Sequence, residues 1–432
     1  MFALVLQKMA TIIHTDEACA GLLQNAWYLD DGSIAGESSS VLRGLTIIQA
    51  QGPSLGFFVN LKKCELFSVD PQVALALLRL CSSFCKLAHI ARTTPPHLIL
   101  SSMEKFDIDV HRSFAECTGC DVPDSAWRQA QLSLRRGGLG LRSLALHSPA
   151  AYIASLCGSG SVIPTPHLEN AITHYNTCVP LSDSLSISGL VGHTFTQKKL
   201  SDAIEDMQFN SLLNSCSLTD KARLLSVSSP HASAWISVVP SSSLGLHLDP
   251  NEFQTAVKWW LGVNPLFSSD GNPMVCPLCP NCALDPLGYH CVTCKSGGDV
   301  TTRHNTLRNA VHSTFQRAGL SAHLEVGCGW GKDNARTQPA DILVTNWDCG
   351  TSAAFDITVT SPLNSPNMLE AGMYQGVSAK SAEHRKHTEN DPKCVELGWR
   401  CIPLAVESYG AWGPEALKAF SQVATRYFSH PG

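Results

Sequence analysis

QPADILVTNWDCGTSAAFDITVTS, residues 338 to 361, contains two strand-like runs, ADILVTNW and AAFDITVTS, each rich in β-branched, aromatic or small apolar residues. Working outward, HLEVG (323 to 327) reads as a third strand, and TRHNTLRNAVHSTFQRAG (302 to 319) as a helix ending at Gly319. On the other side follow a helix around MLEAGMYQGVSAKSAEHRKHTEN, a strand CIPLAVES and a helix ALKAFSQVATRYF. The order α-β-β-β-α-β-α predicts a sheet flanked by helices, the economical way to bury so many apolar faces. Asp341 and Asp356 stand on successive strands with fourteen residues between them. If those strands pair as neighbours, the two carboxylates meet at one end of the sheet, where they can hold a magnesium ion against a phosphate.

The chain has 432 residues, enough for two to three domains, and 44% hydrophobic residues give it ample core material. Wholesale disorder is excluded. Only 16% of residues are charged, and 31 Lys and Arg against 36 acids leave a net charge of −5. Any nucleic-acid partner must therefore be held by local patches rather than by a global basic field. The amino-terminal MFALVLQKMATIIH breaks at Gln7, Lys8 and His14, so it does not read as a secretory leader. An intracellular protein is expected, its 18 cysteines reduced and either buried or bound to metal. No uninterrupted apolar run reaches the roughly 20 residues of a bilayer span, so no membrane association is expected.

CPLCPNCALDPLGYHCVTC, residues 276 to 294, puts six thiol or imidazole groups into nineteen residues. A zinc site needs four nitrogen or sulfur ligands at spacings that let a short loop wrap tetrahedrally. Cys276, Cys279, His290 and Cys294 meet that requirement, with Cys282 and Cys291 spare. Cys279, Cys282, Cys291 and Cys294 would make a four-cysteine site instead, and spacing does not choose between them.

Nearer the amino terminus, AWYLDDGSIAG (26 to 36) places Asp30 and Asp31 at a hairpin tip, where adjacent carboxylates are tolerated with a divalent metal or in water. The preceding HTDEACAGLLQNA looks helical. SVDPQVALALLRLCSSFCKLAHIARTTPP reads as one helix stopped by two prolines, and DSAWRQAQLSLRRGGLG as another capped by Gly137. Arg128, Arg135, Arg136 and Arg142 form a local basic surplus, suited to phosphate or simply to solvent. Ser-, Gly- and Pro-rich clusters mark 161 to 272 as a connector of modest helical content.

With GPSLGFFVNLKKCELF (52 to 67) following it, the Tyr28 to Asp31 segment resembles the palm of non-LTR retrotransposon reverse transcriptases, and GGLGLRSLALHSPAAYIASLC resembles the region after their thumb. The cysteine-histidine segment is similar to the zinc knuckle of site-specific elements of this type, which favours the Cys276, Cys279, His290, Cys294 set. The carboxy-terminal region resembles their restriction-like PD-(D/E)xK endonuclease. The resemblance implies an α+β multidomain chain: a partial palm (1 to 95), a thumb-like helical region (96 to 160), the connector (161 to 272), the knuckle (273 to 300) and an αβββαβ nuclease core (301 to 432).

The roles follow from the same resemblance. Asp30 and Asp31 match the polymerase metal pair and Lys63 the lysine that protonates pyrophosphate. The bridging aspartate from an upstream strand has no counterpart in the 27 residues before Tyr28, so the polymerase part is expected to be incomplete and inactive alone. Asp341 and Asp356 match the nuclease magnesium ligands, with Glu325 as a third carboxylate. Thr358 stands at the usual lysine position, and Lys386 on the following helix is the preferred substitute over Lys380. Arg303 and His304 are placed either to contact phosphate or to pack against the knuckle. Target DNA and element RNA are the implied partners, Zn2+ and Mg2+ the cofactors, and the nucleus the location. A catalytically dead nucleic-acid-binding remnant is the alternative.

Overall fold

The computed structural model describes residues 2–28, 31–60, 70–159, 162–191, 193–265, 274–279, 282–285, 288–324, 340–348, 350–364 and 366–429. The chain is mixed α+β and divides into two compact units. The first comprises residues 1–121, 141–204 and 239–254, the second residues 122–140, 205–238 and 255–432.

In the first unit, α1 (Phe2–Thr15) precedes a hairpin of β1 (Leu22–Tyr28) and β2 (Asp31–Gly36), and α2 (Ser38–Gln51) follows. Met9 and Ile13 of α1 and Ile47 and Ile48 of α2 close a core over the hairpin. The helix expected across HTDEACAGLLQNA is not formed. Asp16 instead accepts from the Ala18 N–H and caps a single 3-10 turn, after which Leu22 starts the strand.

The apolar stretch after Asp70 also differs from the single helix expected. It forms α3 (Pro71–Leu77), a π turn at 78–82 and α4 (Phe84–Thr93). The break falls at Ser83, which leaves helical geometry while its hydroxyl donates to the Arg79 carbonyl at 3.1 Å. By length and composition Pro71–Thr93 suffices to cross a bilayer, and few of its residues are buried. A count of uninterrupted apolar residues misses it because Arg79, the Ser82-Ser83 pair and Lys86 punctuate the run. The unit continues through α5 (Leu100–Thr118), α7 (Leu144–Gly158), α8 (Pro166–Thr177), the one-turn α9 (Ile187–Leu190) and the start of α10 (Gln197–Ser215). Asp107 of α5 accepts from the Leu144 N–H at 2.7 Å and the Ala145 N–H at 3.1 Å, satisfying donors at the start of α7.

The second unit contains α6 (Asp124–Ala130), the end of α10, α11 (Leu218–Val227), the one-turn α12 (Ala234–Ser237) and most of α13 (Pro250–Trp260). The helix expected through Arg136 stops at Ala130. Gly137 adopts φ +74° and Gly138 lies so close to the Leu132 backbone that a Cβ would sit 2.0 Å from its carbonyl oxygen. Gln129 Nε2 and Trp260 Nε1 both donate to the Gly137 carbonyl at 2.8 Å and lock the turn. Gly138→Ala is expected to destabilise the chain by about 1–3 kcal/mol, the usual cost of overpacking, read as a lowered thermal midpoint.

The carboxy-terminal part of this unit follows the expected element order, with one helix split in two. After α14 (Tyr289–Thr293) come α15 (Asp299–Arg317), β3 (Ala322–Leu324), β4 (Ile342–Asp348), β5 (Thr351–Thr360), α16 (Met368–Ala371), α17 (Val377–Glu396), β6 (Trp399–Glu407) and α18 (Pro414–Ser429). The sheet order is β3-β4-β5-β6, antiparallel except for the parallel β5-β6 pair that α17 connects. Pro403 cannot donate to a ladder and sits in β6, which is an edge strand.

Alternation along β5 decides what each face receives. Ala353, Phe355 and Ile357 enter the large core with Phe315 of α15 and Ala416, Ala419 and Val423 of α18. Ala354 turns to the opposite face, where it packs with Cys394 of α17 and Cys401 of β6, and Asp356 shares that face.

Candidate functional site

Two carboxylates line one groove. Asp341, immediately before β4, and Asp356, inside β5, share a cavity of about 480 Å3 with Arg303, His304, Lys386 and Asn390. Pairing of β4 with β5 brings them together: Ile342 lies opposite Phe355, and the Asp341 N–H donates to the Phe355 carbonyl at 3.0 Å.

Each carboxylate is held by one oxygen. Asp341 Oδ2 accepts from the Ile357 N–H at 2.7 Å and faces His304 Nε2 at 3.2 Å. His304 Nε2 also lies 3.1 Å from the Ile357 carbonyl, which can only accept, so this nitrogen carries a proton. Asp356 Oδ2 lies 3.0 Å from Lys386 Nζ and accepts from Asn390 Nδ2. Among the described residues no protein group engages the Oδ1 atom of either aspartate. Hard oxygen atoms facing an open groove are the donors that a magnesium ion takes, and one or two carboxylates are the usual protein share of its shell.

The two acids are electrostatically unlike. Burial pushes Asp356 above the usual carboxylate range, and the neighbouring Asp341 charge adds to this, although Lys386 and Asn390 oppose it. Burial acts on Asp341 in the same sense. The His304 and Ile357 hydrogen bonds and the Lys386 charge outweigh it, and Asp341 titrates below its ordinary value. The bond to Asp341 correspondingly raises His304, against the effect of burial.

Lys386 is positioned by a succession of helix caps. Glu407, buried at the end of β6, accepts from the Ser378 and Ala379 N–H groups at 2.9 and 3.2 Å and anchors the start of α17. Glu383 of α17 accepts from the Glu415 and Ala416 N–H groups at the start of α18. Carboxylates at helix amino termini are favourable both as acceptors and against the helix dipole. Lys386, one turn on from Glu383, reaches the groove, whereas Lys380 is exposed. Thr358 lines the groove without supplying a charge.

Asn390 and Arg385 were not anticipated as lining residues. For Asn390 a signal existed, because it lies four residues after Lys386 and so on the same helix face. Of the two residues expected to contact phosphate or the knuckle, Arg303 donates from Nη1 to the Val292 carbonyl at 2.7 Å, and His304 turns to Asp341.

The cysteine-histidine segment forms a second cluster. Cys276 Sγ and Cys294 Sγ are 3.9 Å apart, Cys294 and Cys279 3.7 Å, and Cys279 Sγ and His290 Nε2 2.9 Å. All four ligand atoms lie within 4.8 Å of one another. Zinc–sulfur bonds of about 2.3 Å in a tetrahedron give sulfur–sulfur edges of about 3.8 Å, so the thiols fit that metal. Cys282 and Cys291 are outside the cluster; Cys282 contributes its backbone, its carbonyl accepting from the Cys276 N–H at 3.0 Å. Burial would raise the Cys276 thiol, but the Cys279 and Leu278 N–H groups overcome it and bring it down to about 6, towards the thiolate that binds metal.

The remaining expected residues are dispersed. Asp31 lies on β2 opposite Tyr28 in the hairpin, while Asp30, Lys63 and Glu325 fall outside the described residues. The four arginines share no helix. Arg128 is exposed on α6; Arg135 and Arg136 lie on a 3-10 turn, with Arg136 paired to Asp206 and stacked over Phe209; Arg142 belongs to the other unit. The early end of α6 removes the single basic face.

Comparison with protein-family models and with curated proteins finds no match to the chain.

Proposed function

We propose that the second unit is a metal-dependent endonuclease that nicks target DNA, in a chain related to the carboxy-terminal part of non-LTR retrotransposon polyproteins. The observation that carries this reading is the meeting of Asp341, Asp356 and Lys386 in one groove, where among the described residues no group engages the second oxygen of either acid. Asp341 and Asp356 would hold magnesium, which when bound supplies charge neutralisation at the scissile phosphate. Lys386 places a positive charge where a water or a developing phosphate charge is stabilised. Arg303 and Arg385 line the same groove and offer positive charge to a nucleic-acid backbone.

The cysteine-histidine cluster fits a structural zinc knuckle immediately before α15. The hairpin β1-β2 is read as the remnant of a polymerase palm that does not extend a primer by itself. Element RNA as a second ligand and a nuclear location belong to the same proposal.

The test is nicking of supercoiled plasmid by the full chain in magnesium. Nicked circles are expected with the wild type, and Lys386→Ala is expected to lower the rate about 10²-fold or more if the lysine stabilises the reacting charge. A folded, zinc-loaded chain that retains DNA yet cleaves no duplex, single-stranded or branched DNA in magnesium or manganese would replace this reading with that of a catalytically dead nucleic-acid-binding remnant.

A further inference from the structure

Asp356 takes two side-chain donors on the same oxygen. Lys386 Nζ lies 3.0 Å from its Oδ2, and Asn390 Nδ2 donates to that atom as well. Both donors belong to one face of α17, four residues apart. A buried carboxylate is ordinarily satisfied by whatever donors surround it, so the doubling by itself says nothing about function. The two donors differ, however, in how firmly each is held.

Asn390 is only 7% exposed, and its Oδ1 accepts from Lys393 Nζ at 3.4 Å, one turn further along α17. A lysine can only donate, so this contact fixes the amide with Nδ2 towards Asp356. Lys386 is less confined. It lines the open groove on a flexible four-carbon stem, and Glu389 Oε2 at 3.9 Å offers it a second carboxylate. When Lys386 turns to a water or a phosphate oxygen, as the nuclease reading requires, its hold on Asp356 weakens, whereas the Asn390 bond stays. Asp356 needs a hold of this kind, because the terminal torsion of an aspartate is broad and does not itself decide which oxygen meets a cation.

We infer that Asn390 is a positioning residue for the magnesium site: it anchors Asp356 Oδ2 independently of Lys386, keeps Oδ1 available to the ion and so sets metal affinity, while Lys386 is left to act in cleavage. The inference rests on the nuclease reading of this groove. Groups that orient a metal-binding carboxylate from behind commonly contribute 10- to 100-fold in metal affinity or activity, roughly the size of effect expected here.

The test is manganese binding to the full chain without DNA, followed by electron paramagnetic resonance with the knuckle kept in zinc, beside the magnesium dependence of plasmid nicking. Asn390→Ala and the nearly isosteric Asn390→Leu, each checked for folding by circular dichroism, are expected to weaken manganese about 10- to 100-fold. The magnesium concentration at half-maximal nicking is expected to rise by the same factor, with the rate at saturating magnesium largely recovered. Lys386→Ala is expected to do the reverse, lowering the saturating rate and leaving manganese bound at least as tightly, since a positive charge beside the ion is removed. Wild-type manganese affinity in Asn390→Leu would reduce Asn390 to a packing residue and overturn the inference. So would unchanged affinity in Asn390→Ala, or a loss confined to the saturating rate, and in both cases nicking by the wild type would leave the nuclease reading standing. A wild-type chain that binds no manganese and nicks nothing would overturn the two together.

Discussion

Asp356→Ala and Asp341→Ala are each expected to abolish magnesium-dependent nicking while duplex DNA binding is kept or strengthened. Both remove a carboxylate that faces the groove, and with it an anion that repels the DNA phosphates. The loss in rate should exceed the roughly 10²- to 10³-fold typical of deleting one electrostatic stabiliser, because a metal ligand serves ground and transition states together. The two variants differ in their side effects. Asp341→Ala frees the Ile357 N–H and leaves His304 its contact to the Ile357 carbonyl, whereas Asp356→Ala leaves Lys386 only the more distant Glu389 at 3.9 Å. The measurement is a nicking time course beside a gel-shift titration at fixed salt. Cleavage within tenfold of wild type in either variant would remove that aspartate from the active centre.

The second large effect concerns the knuckle. His290→Ala or Cys276→Ser is expected to lose one equivalent of zinc and to unfold residues 276 to 294, because so short a loop has little core of its own. Structural zinc contributes an apparent free energy on the order of 10–16 kcal/mol in small finger-like peptides at neutral pH. Cys282→Ser is expected to keep the metal, since only its backbone takes part in the turn. Metal analysis and amide hydrogen exchange over this segment check both statements. Loss of zinc in Cys282→Ser with retention in His290→Ala would restore the four-cysteine arrangement.

Much of the carboxy-terminal architecture was legible because alternation is a local signal. ADILVTNW and AAFDITVTS announce strands, and the fourteen-residue interval is short enough to force neighbours to pair, which brings Asp341 to Asp356. The Cys276 to Cys294 spacing was equally readable, but the choice of ligand set required three-dimensional distances. Other features depended on groups remote in sequence. Arg136 is claimed by Asp206, seventy residues away, and Cys394 meets Cys401 only because α17 folds back along β6. The breaks at Ser83 and Gly138 arise from serine competition for carbonyls and from a close backbone approach, effects that a helical apolar pattern hides.

Arg303 and His304 are consecutive on the first turns of α15, so their side chains leave the helix about 100° apart. One grips the Val292 carbonyl in the knuckle, and the other grips Asp341 in the groove. The start of α15 thus touches both clusters through neighbouring side chains. Arg303→Ala removes the bond to the Val292 carbonyl and leaves the His304 contact to Asp341 as the remaining tether of this turn across the two clusters. One of the hydrogen bonds that hold Asp341 below its ordinary range thus originates on the same helical turn as a contact made outside the groove.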